Sequence, residues 1–398
     1  MRTLSARTRG VTVAAVALMS MSTAAFASSG TSTSATPQHP RPVAHQSVSR
    51  NSSWPYAGTT RDPVLAAVGD IGCEPNTKAN SANPTDLKCK GKDIGGLKAE
   101  YATATQVEQM RPNLVALLGD EQYQVGKLSD FQRSFDKTYG AFKFLQRPSP
   151  GNHEYYAYTK HGDNEAAQNG TGYFSYYNGT TANGAIRPQG QAGDYNKGWY
   201  SYNLGAWHVI SLNAECNSDT FKHNCNPKQG LLGLETQWLA SDLASNHAKC
   251  TLAYWHQPTF SSTGGSGDGT YARFASNEGG AADTWWKLLY SHHADLVLNG
   301  HEHVYARFRP MAPNGTVDTK RGITQMIVGT GGEDLDTLSS AADLTKAHVV
   351  TGQDTAYGVM KLRLGSAGYQ FAYRPVATGA NQPSSVLNYT DAGSARCH

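Results

Sequence analysis

Four short apolar runs in this chain each end just before a side chain that can bind a metal ion. Runs of this length, bounded by glycine or polar residues, predict buried strands. In open α/β sheets, ligands bind beyond the carboxyl ends of the strands, so side chains that follow several strands can share one site. The runs and the side chains that follow them are Val64–Val68 with Asp70, Leu114–Leu118 with Asp120, 252–255 with His256, and 295–298 with His301.

The segments between and after these runs indicate the rest of the fold. Apolar residues spaced three and four apart predict helices over 98–111, 231–245 and 281–292. Two antiparallel hairpins are predicted where apolar and polar residues alternate on either side of a glycine-containing turn, 199–204 with 207–212 and 358–364 with 369–373. The combination predicts an α/β fold, a four-layer α/β/β/α sandwich of two mixed sheets.

The first sixty residues differ in composition from the rest. Residues 1–27 carry three arginines, an apolar run and a small-residue site at the end, the pattern of a signal peptide. The apolar run is shorter than the ~20 residues that a membrane-spanning helix needs. Residues 28–60 are rich in Ser, Thr and Pro and predict a disordered leader. We therefore expect a secreted, extracellular protein whose folded domain is 61–398.

Six cysteines without a close CxxC pair indicate disulfide bonds in an exported chain. Pairing of sequence neighbours would join Cys73 to Cys89 and Cys216 to Cys225, and would leave Cys250 for Cys397. Other connectivities remain open at this point. Removal of the predicted signal peptide takes away three arginines and no acidic residue, so the formal net charge falls from +3 to 0. That balance gives no indication of a nucleic-acid-binding surface.

Five motifs carry the candidate chemistry. They offer carboxylate, phenol and amide oxygens together with imidazole nitrogens, a mixture that suits iron, manganese or zinc better than calcium. Each motif is weak evidence alone, but the five in this order favour one metal centre. The motifs are Gly69-Asp70-Ile71-Gly72, Gly119-Asp120-Glu121-Gln122-Tyr123, Gly151-Asn152-His153-Glu154, Trp255-His256 and Gly300-His301-Glu302-His303.

The motifs resemble those of the purple acid phosphatases within the calcineurin-like metallophosphoesterase superfamily, whose pattern is DxG, GDxxY, GNH(D/E), VxxH and GHxH. The match spans residues 67–304, and the fourth motif departs from the pattern with Ala253 in place of Val. The resemblance implies two metal ions per chain, bridged by Asp120. It implies one ion held by Asp70, Asp120, Tyr123 and His303, and a second ion held by Asp120, Asn152, His256 and His301.

The first of these ligand sets contains the anionic donors and favours iron(III), whereas the second suits divalent iron, zinc or manganese. Two divalent ions are the alternative. The resemblance also implies hydrolysis of small phosphomonoesters by metal-bridging hydroxide attack on phosphorus. His153 is then the candidate to stabilise the transition state or to protonate the leaving oxygen.

Three questions stay open. Arg307, just after the fifth motif, could contact a substrate phosphate or pair with an internal carboxylate. A phosphodiesterase or nucleotidase would use the same site, and no residue separates these activities from a phosphomonoesterase. A noncatalytic, metal-stabilised binding protein is a different class, against which the presence of His153 argues.

Overall fold

The computed structural model describes residues 62–74, 99–158, 165–263, 281–376 and 388–398. The predicted signal peptide and the predicted leader lie outside these residues and stay predictions.

Two mixed sheets form the centre of the fold, as predicted. The six-stranded sheet has the order β15-β14-β13-β1-β2-β3, and the seven-stranded sheet has the order β12-β10-β11-β9-β8-β7-β6. β4 and β5 form a separate two-stranded sheet. The strands are β1 Val64–Val68, β2 Leu114–Leu118, β3 Gln146–Ser149, β4 Gln189–Gly190, β5 Gly193–Asp194, β6 Tyr200–Leu204, β7 Trp207–Ser211, β8 Cys250–Tyr254, β9 Leu296–Asn299, β10 Tyr305–Phe308, β11 Thr324–Val328, β12 Val349–Gln353, β13 Gly358–Gly365, β14 Gly368–Pro375 and β15 Ala392–Arg396.

The parallel parts of both sheets carry the predicted apolar runs. β1, β2 and β3 are parallel to one another, and so are β7, β8 and β9. β2 and β8 are buried at every residue, because both faces of these strands are covered. All of these strands end toward the same region of the molecule, so the residues that follow them can meet.

Apolar side chains from both sheets form the inner core. Leu65 of β1 and Leu118 of β2 are fully buried, as are Trp207 of β7 and Leu252 of β8, and all four belong to one cluster. Because β1 and β2 lie in one sheet and β7 and β8 lie in the other, this cluster fills the space between the sheets. Burial of apolar surface in this space stabilises the packing of one sheet on the other.

Helices pack on the outer faces of the two sheets. In α5, Trp285, Trp286 and Leu289 are buried, which is the spacing of one helix face. α1 packs on the six-stranded sheet, and α4 and α5 pack on the seven-stranded sheet, so the predicted four layers are observed. The helices are α1 Ala99–Met110, α2 Leu128–Arg133, α3 Thr171–Asn178, α4 Gly230–Ser245, α5 Ala282–Ser291 and α6 Ala341–Lys346.

The predicted helices and hairpins are confirmed to within a few residues. The three helices predicted from apolar spacing correspond to α1, α4 and α5, and the two hairpins are β6–β7 and β13–β14. None of the helices in the described part is both long and apolar enough to cross a membrane.

Two predicted disulfide bonds are present. Cys216 is bonded to Cys225, and Cys250, the first residue of β8, is bonded to Cys397, which follows β15. The third predicted pair includes Cys89, which lies outside the described residues. The second bond joins the two sheets at the end where β8 begins.

Candidate metal centre

Sharp turns after the parallel strands aim the candidate side chains at one another. Asp70, Asp120 and His301 have backbone φ angles of 59°, 51° and 70°. This left-handed conformation is uncommon for residues other than glycine and costs roughly 1–2 kcal/mol per residue. The chain therefore adopts a strained backbone at three of the residues that sequence analysis selected, a pattern that is typical of functional sites.

Two glycines allow the turns to approach one another closely. A Cβ atom on Gly300 would lie 2.5 Å from Oδ2 of Asp70, and a Cβ atom on Gly119 would lie 2.5 Å from Nδ1 of His256. Neither distance is compatible with a side chain, so both motifs require glycine at these positions.

The first group of donor atoms surrounds the phenol oxygen of Tyr123. This Oη atom lies 3.1 Å from Oδ1 of Asp70, from Oδ2 of Asp120 and from Nε2 of His303. Oδ1 of Asp70 is in turn 3.4 Å from Nε2 of His303. The four residues that the resemblance assigns to the first ion therefore meet.

The second group surrounds the amide oxygen of Asn152. Its Oδ1 atom lies 3.1 Å from Nε2 of His256 and 3.0 Å from Nδ1 of His301. Oδ2 of Asp120 is 3.1 Å from Nε2 of His256. Because the same Asp120 oxygen also contacts Tyr123, Asp120 connects the two groups.

Each aspartate uses its two oxygens differently. Oδ2 of Asp70 accepts a hydrogen bond of 2.9 Å from the backbone N–H of His301, while Oδ1 faces Tyr123. Oδ1 of Asp120 accepts a hydrogen bond of 2.9 Å from the backbone N–H of His153, while Oδ2 faces the centre. One oxygen thus holds a neighbouring motif in place and the other remains for a cation.

Hydrogen bonds to backbone carbonyl oxygens orient two of the imidazole rings. Nδ1 of His256 lies 2.8 Å from the carbonyl oxygen of Leu118, and Nδ1 of His303 lies 2.6 Å from that of Asp334. A carbonyl oxygen only accepts, so Nδ1 carries the proton and Nε2 of the neutral ring presents a lone pair to the centre. Nε2 of His256 then faces the oxygens of Asn152 and Asp120, and a cation among these lone pairs would satisfy all three.

The raised pKa values of His256 and His303 also indicate that the site favours positive charge. Burial would lower the pKa of His256, but the charge of Asp120 and a hydrogen bond to it raise that pKa to about 10. Burial would also lower the pKa of His303, but the hydrogen bond and charge of Asp70 raise it to about 10. Without metal, protons would neutralise the site, and metal ions would replace those protons. The donor set therefore fits metal ions.

Burial and neighbouring charges also shift the pKa values of Asp120, His301 and Tyr123. Burial would raise the pKa of Asp120, but His256 and His153 hold it well below its usual range. Burial and the charge of His256 lower the pKa of His301 to about 3, so this ring is neutral. Burial and the charges of Asp120 and Asp70 raise the pKa of Tyr123 well above its usual range.

His153 lies at the edge of the centre. Its ring centroid is 4.2 Å from that of Tyr123, and its Nε2 atom is 3.9 Å from Oδ2 of Asp120. Nδ1 is 2.6 Å from the carbonyl oxygen of Gln124, which leaves Nε2 directed toward the centre. Burial lowers the pKa of His153, against the charge of Asp120. The side chain is 22% exposed, so it can meet a substrate from solvent.

Three acidic residues of the motifs, Glu121, Glu154 and Glu302, received no role from the sequence, and two of them connect separate segments. Glu154 is fully buried, and its carboxylate accepts hydrogen bonds from the backbone N–H groups of Asp120, Gln122 and Gly151. Glu302 is also buried, but it binds Ser261 and Ser262. Glu154 thus ties the second motif to the third, whereas Glu302 ties the fifth motif to the segment after His256.

The loop after β11 supports the first group, and sequence analysis did not find it. The backbone N–H of His303 donates to Oδ2 of Asp336 at 2.9 Å, and the backbone N–H of Glu333 donates to the carbonyl oxygen of Asp70 at 3.1 Å. Burial raises the pKa of Glu333 to about 7. The run Glu333-Asp334-Leu335-Asp336 after a double glycine was the available signal.

Arg307 is paired internally. Its Nε and Nη2 atoms lie 2.7 and 2.9 Å from the two carboxylate oxygens of Asp391, and Oη of Tyr305 donates to the same carboxylate. Of the two possibilities left open by the sequence, the structure shows the internal carboxylate.

Comparisons with known proteins agree with the motifs. The family model described as calcineurin-like phosphoesterase matches residues 64–305. An uncharacterized protein of Mycobacterium tuberculosis is 25% identical over 226 residues, which are 52% of this chain and 38% of the relative. Purple acid phosphatase 15 of Arabidopsis thaliana is 28% identical over 123 residues, 30% of this chain and 20% of the relative. The chain therefore matches well under half the length of these relatives.

A solved structure shares the fold. The purple acid phosphatase from yellow lupin seeds superimposes with a TM-score of 0.53 at 16% identity, and the match covers 85% of this chain and 55% of that chain. At this identity the likeness shows the fold alone.

Proposed function

Because the chain belongs to the calcineurin-like phosphoesterase family, we propose that it hydrolyses phosphomonoesters at a centre of two metal ions. The observation that carries the proposal is the position of Asp120, whose Oδ2 atom lies 3.1 Å from both Tyr123 Oη and His256 Nε2. One carboxylate oxygen thus belongs to both donor groups. That arrangement supports a bridged pair of ions.

The ions, when bound, would supply the Lewis acidity that transfer of a phosphoryl group to water requires. Asp70, Asp120, Tyr123 and His303 would hold one ion, and Asp120, Asn152, His256 and His301 would hold the other. We assign iron(III) to the first set because it contains three potential anions, and a divalent iron, zinc or manganese ion to the second.

His153 is the proposed catalytic side chain. The carbonyl oxygen of Gln124 keeps the Nδ1–H of the ring in place, so a second proton would be held on Nε2, which faces the centre. From there it would pass to the leaving oxygen of the ester. The partial exposure of His153 supports this role, since the ring remains accessible to substrate.

Secretion is part of the proposal. Two disulfide bonds in the described residues support an oxidising compartment. The predicted N-terminal signal peptide supports it from the sequence.

Turnover of matched substrates tests the function. We expect the metal-loaded protein to hydrolyse p-nitrophenyl phosphate faster than bis(p-nitrophenyl) phosphate, and elemental analysis to find two ions per chain. Faster hydrolysis of the diester would overturn the monoesterase proposal and leave the family unchanged. Two bound ions without turnover of either ester would favour a binding protein.

A further inference from the structure

The outer face of β13, β14 and β15 carries four cationic side chains. Strand register places Arg363 opposite Gln370 and Gln370 opposite Ser394, so these three side chains share one face of the sheet. By the same register Lys361, Arg374 and Arg396 lie on that face, since residues two apart on a strand point the same way. We call this surface the basic face, and it consists of Lys361, Arg363, Gln370, Arg374, Ser394 and Arg396.

The positive charges of the basic face are not neutralised within the described residues. None of its four cations forms an ion pair there, in contrast to Arg307, which is paired with Asp391. Burial and the charges of Arg363 and Arg374 lower the pKa of Lys361, so these like charges lie close enough to repel. The connecting residues 377–387 contain no acidic side chain. Such uncompensated charge costs stability, and an anionic ligand would offset that cost.

A cleft lies at one end of the basic face. Its volume is about 330 Å³. Two guanidinium groups, an amide and a hydroxyl contribute to its wall, and Asp62 adds one carboxylate. The residues concerned are Asp62, Arg363, Gln370, Ser394 and Arg396. Arginine, amide and hydroxyl donors together suit the oxygens of a phosphate group.

The spacing of the cations favours a ligand with a chain of anionic groups over a ligand with a single anionic group. Alternate residues on a strand are ~7 Å apart and neighbouring strands are ~4.8 Å apart, so the four cations cover several rows of the sheet. The other outward-facing side chains among them include Ala372 and Ala392. No outward-facing position of β13, β14 or β15 is aromatic, so these strands lack the row of aromatic side chains on which successive nucleic-acid bases stack. No large apolar side chain is exposed on these three strands for insertion into a bilayer.

We infer that the basic face binds a flexible linear polymer of phosphodiesters that has no aromatic bases. Arg363 pairs in register with Val64, at the start of β1, whereas Asp70 and the metal centre follow the end of β1. Binding at the basic face therefore leaves the metal centre open. The surface would retain the protein on an anionic polymer while small esters reach the centre.

Binding to immobilised poly(glycerol phosphate) at rising sodium chloride concentration tests the inference. The variant Arg363→Gln/Arg374→Gln/Arg396→Gln removes three charges from the basic face. The matched control Lys222→Gln/Lys228→Gln/Lys287→Gln removes three charges from exposed lysines elsewhere. The full metal-loaded chain is used. Incubation with the polymer is kept short enough that no phosphate is released by hydrolysis.

We expect the basic-face variant to bind the polymer at least about tenfold more weakly than the wild-type protein. The association constant of the variant should also depend less on salt, so that the negative slope of its logarithm against the logarithm of the salt concentration becomes shallower by about 2. The control should keep wild-type affinity, and all three proteins should hydrolyse p-nitrophenyl phosphate equally. Should the triple variant fail to fold, Arg396→Gln compared with Lys228→Gln gives the same contrast.

Three results would overturn the inference. They are absence of wild-type binding, equal loss in the two triple variants, and equal or tighter binding of single-stranded DNA or of anionic lipid vesicles than of the polymer. Because the measurement is of binding alone, its failure is distinct from failure of the proposed hydrolysis.

Discussion

The two sheets contribute different atoms to the candidate metal centre. All four oxygen donors, from Asp70, Asp120, Tyr123 and Asn152, follow strands of the six-stranded sheet. All three imidazole donors, from His256, His301 and His303, follow strands of the seven-stranded sheet. Each proposed ion takes donors from both sheets. Neither sheet therefore holds a complete site, and the centre is built where they meet.

The donor residues from the two sheets are also held in place by different contacts. On the six-stranded side, the buried carboxylate of Glu154 binds three backbone N–H groups of the second and third motifs. On the seven-stranded side, the rings of His256 and His303 donate to backbone carbonyl oxygens. The backbone of the second and third motifs thus depends on one carboxyl group that could be removed by mutation, whereas backbone carbonyl oxygens, which no substitution removes, orient the rings of His256 and His303.

The largest effect is expected from Asp120→Ala, because Asp120 is the side chain assigned to both proposed ions. We expect loss of both ions and of detectable turnover. Elemental analysis of the purified variant gives the metal content. Retention of two ions would show that Asp120 does not bridge and that the two sides bind metal independently.

His153→Ala should separate catalysis from metal binding. It should keep both ions, because His153 belongs to neither proposed ligand set, and lower turnover by ~10²- to 10⁴-fold. Metal content and kcat are measured on the same preparation. Near-wild-type turnover in the metal-loaded variant would remove His153 from the mechanism.

Glu154→Ala and Glu302→Ala test the difference between the two sides. Each variant deletes a buried carboxyl group that accepts several hydrogen bonds, but only Glu154 accepts one from the backbone of a proposed ligand, Asp120. We expect metal affinity to fall by ~10- to 100-fold in Glu154→Ala and to change little in Glu302→Ala. Competition with a chelator measures both, and equal losses would contradict the distinction.

Of the two substitutions of proposed metal ligands, Tyr123→Phe should lower the metal content less than Asp120→Ala. Asp70, Asp120 and His303 remain, so the first ion should still bind, although less tightly. If that ion is iron(III), the phenolate should give the wild-type protein a broad visible absorption that the variant lacks. A colourless, active wild-type protein with two divalent ions would refute the iron assignment and leave the family assignment intact.

The sequence predicted the parts of the fold that depend on local pattern. The apolar runs of β1 and β2 were predicted at their observed bounds, and glycine-bounded motifs after strands brought Asp70 and Asp120 together as expected. β3 was not predicted, because its sequence Gln-Arg-Pro-Ser has no apolar run and its place is set by pairing with β2. The convergence of the candidate residues is observed, and their roles as ligands remain proposals.

Contacts between distant segments could not be predicted from the sequence. Nothing local indicates that Glu154 caps the backbone of Asp120, that Asp336 holds His303, or that Arg307 reaches Asp391. The partners in these three contacts are separated by 34, 33 and 84 positions along the chain. Only the folded chain brings them within hydrogen-bonding distance.

The disulfide between Cys250 and Cys397 has a consequence for reversible metal loss. It spans 147 positions and fastens the two sheets where β8 begins, whereas the candidate centre joins them where β8 ends. When the metal ions are lost, the two sheets can therefore separate slightly at the edge of the candidate centre. The disulfide bond keeps them aligned at the opposite edge. Such a demetallated molecule would recapture metal ions without refolding, so repeated cycles of metal depletion and resupply would leave it able to bind metal again.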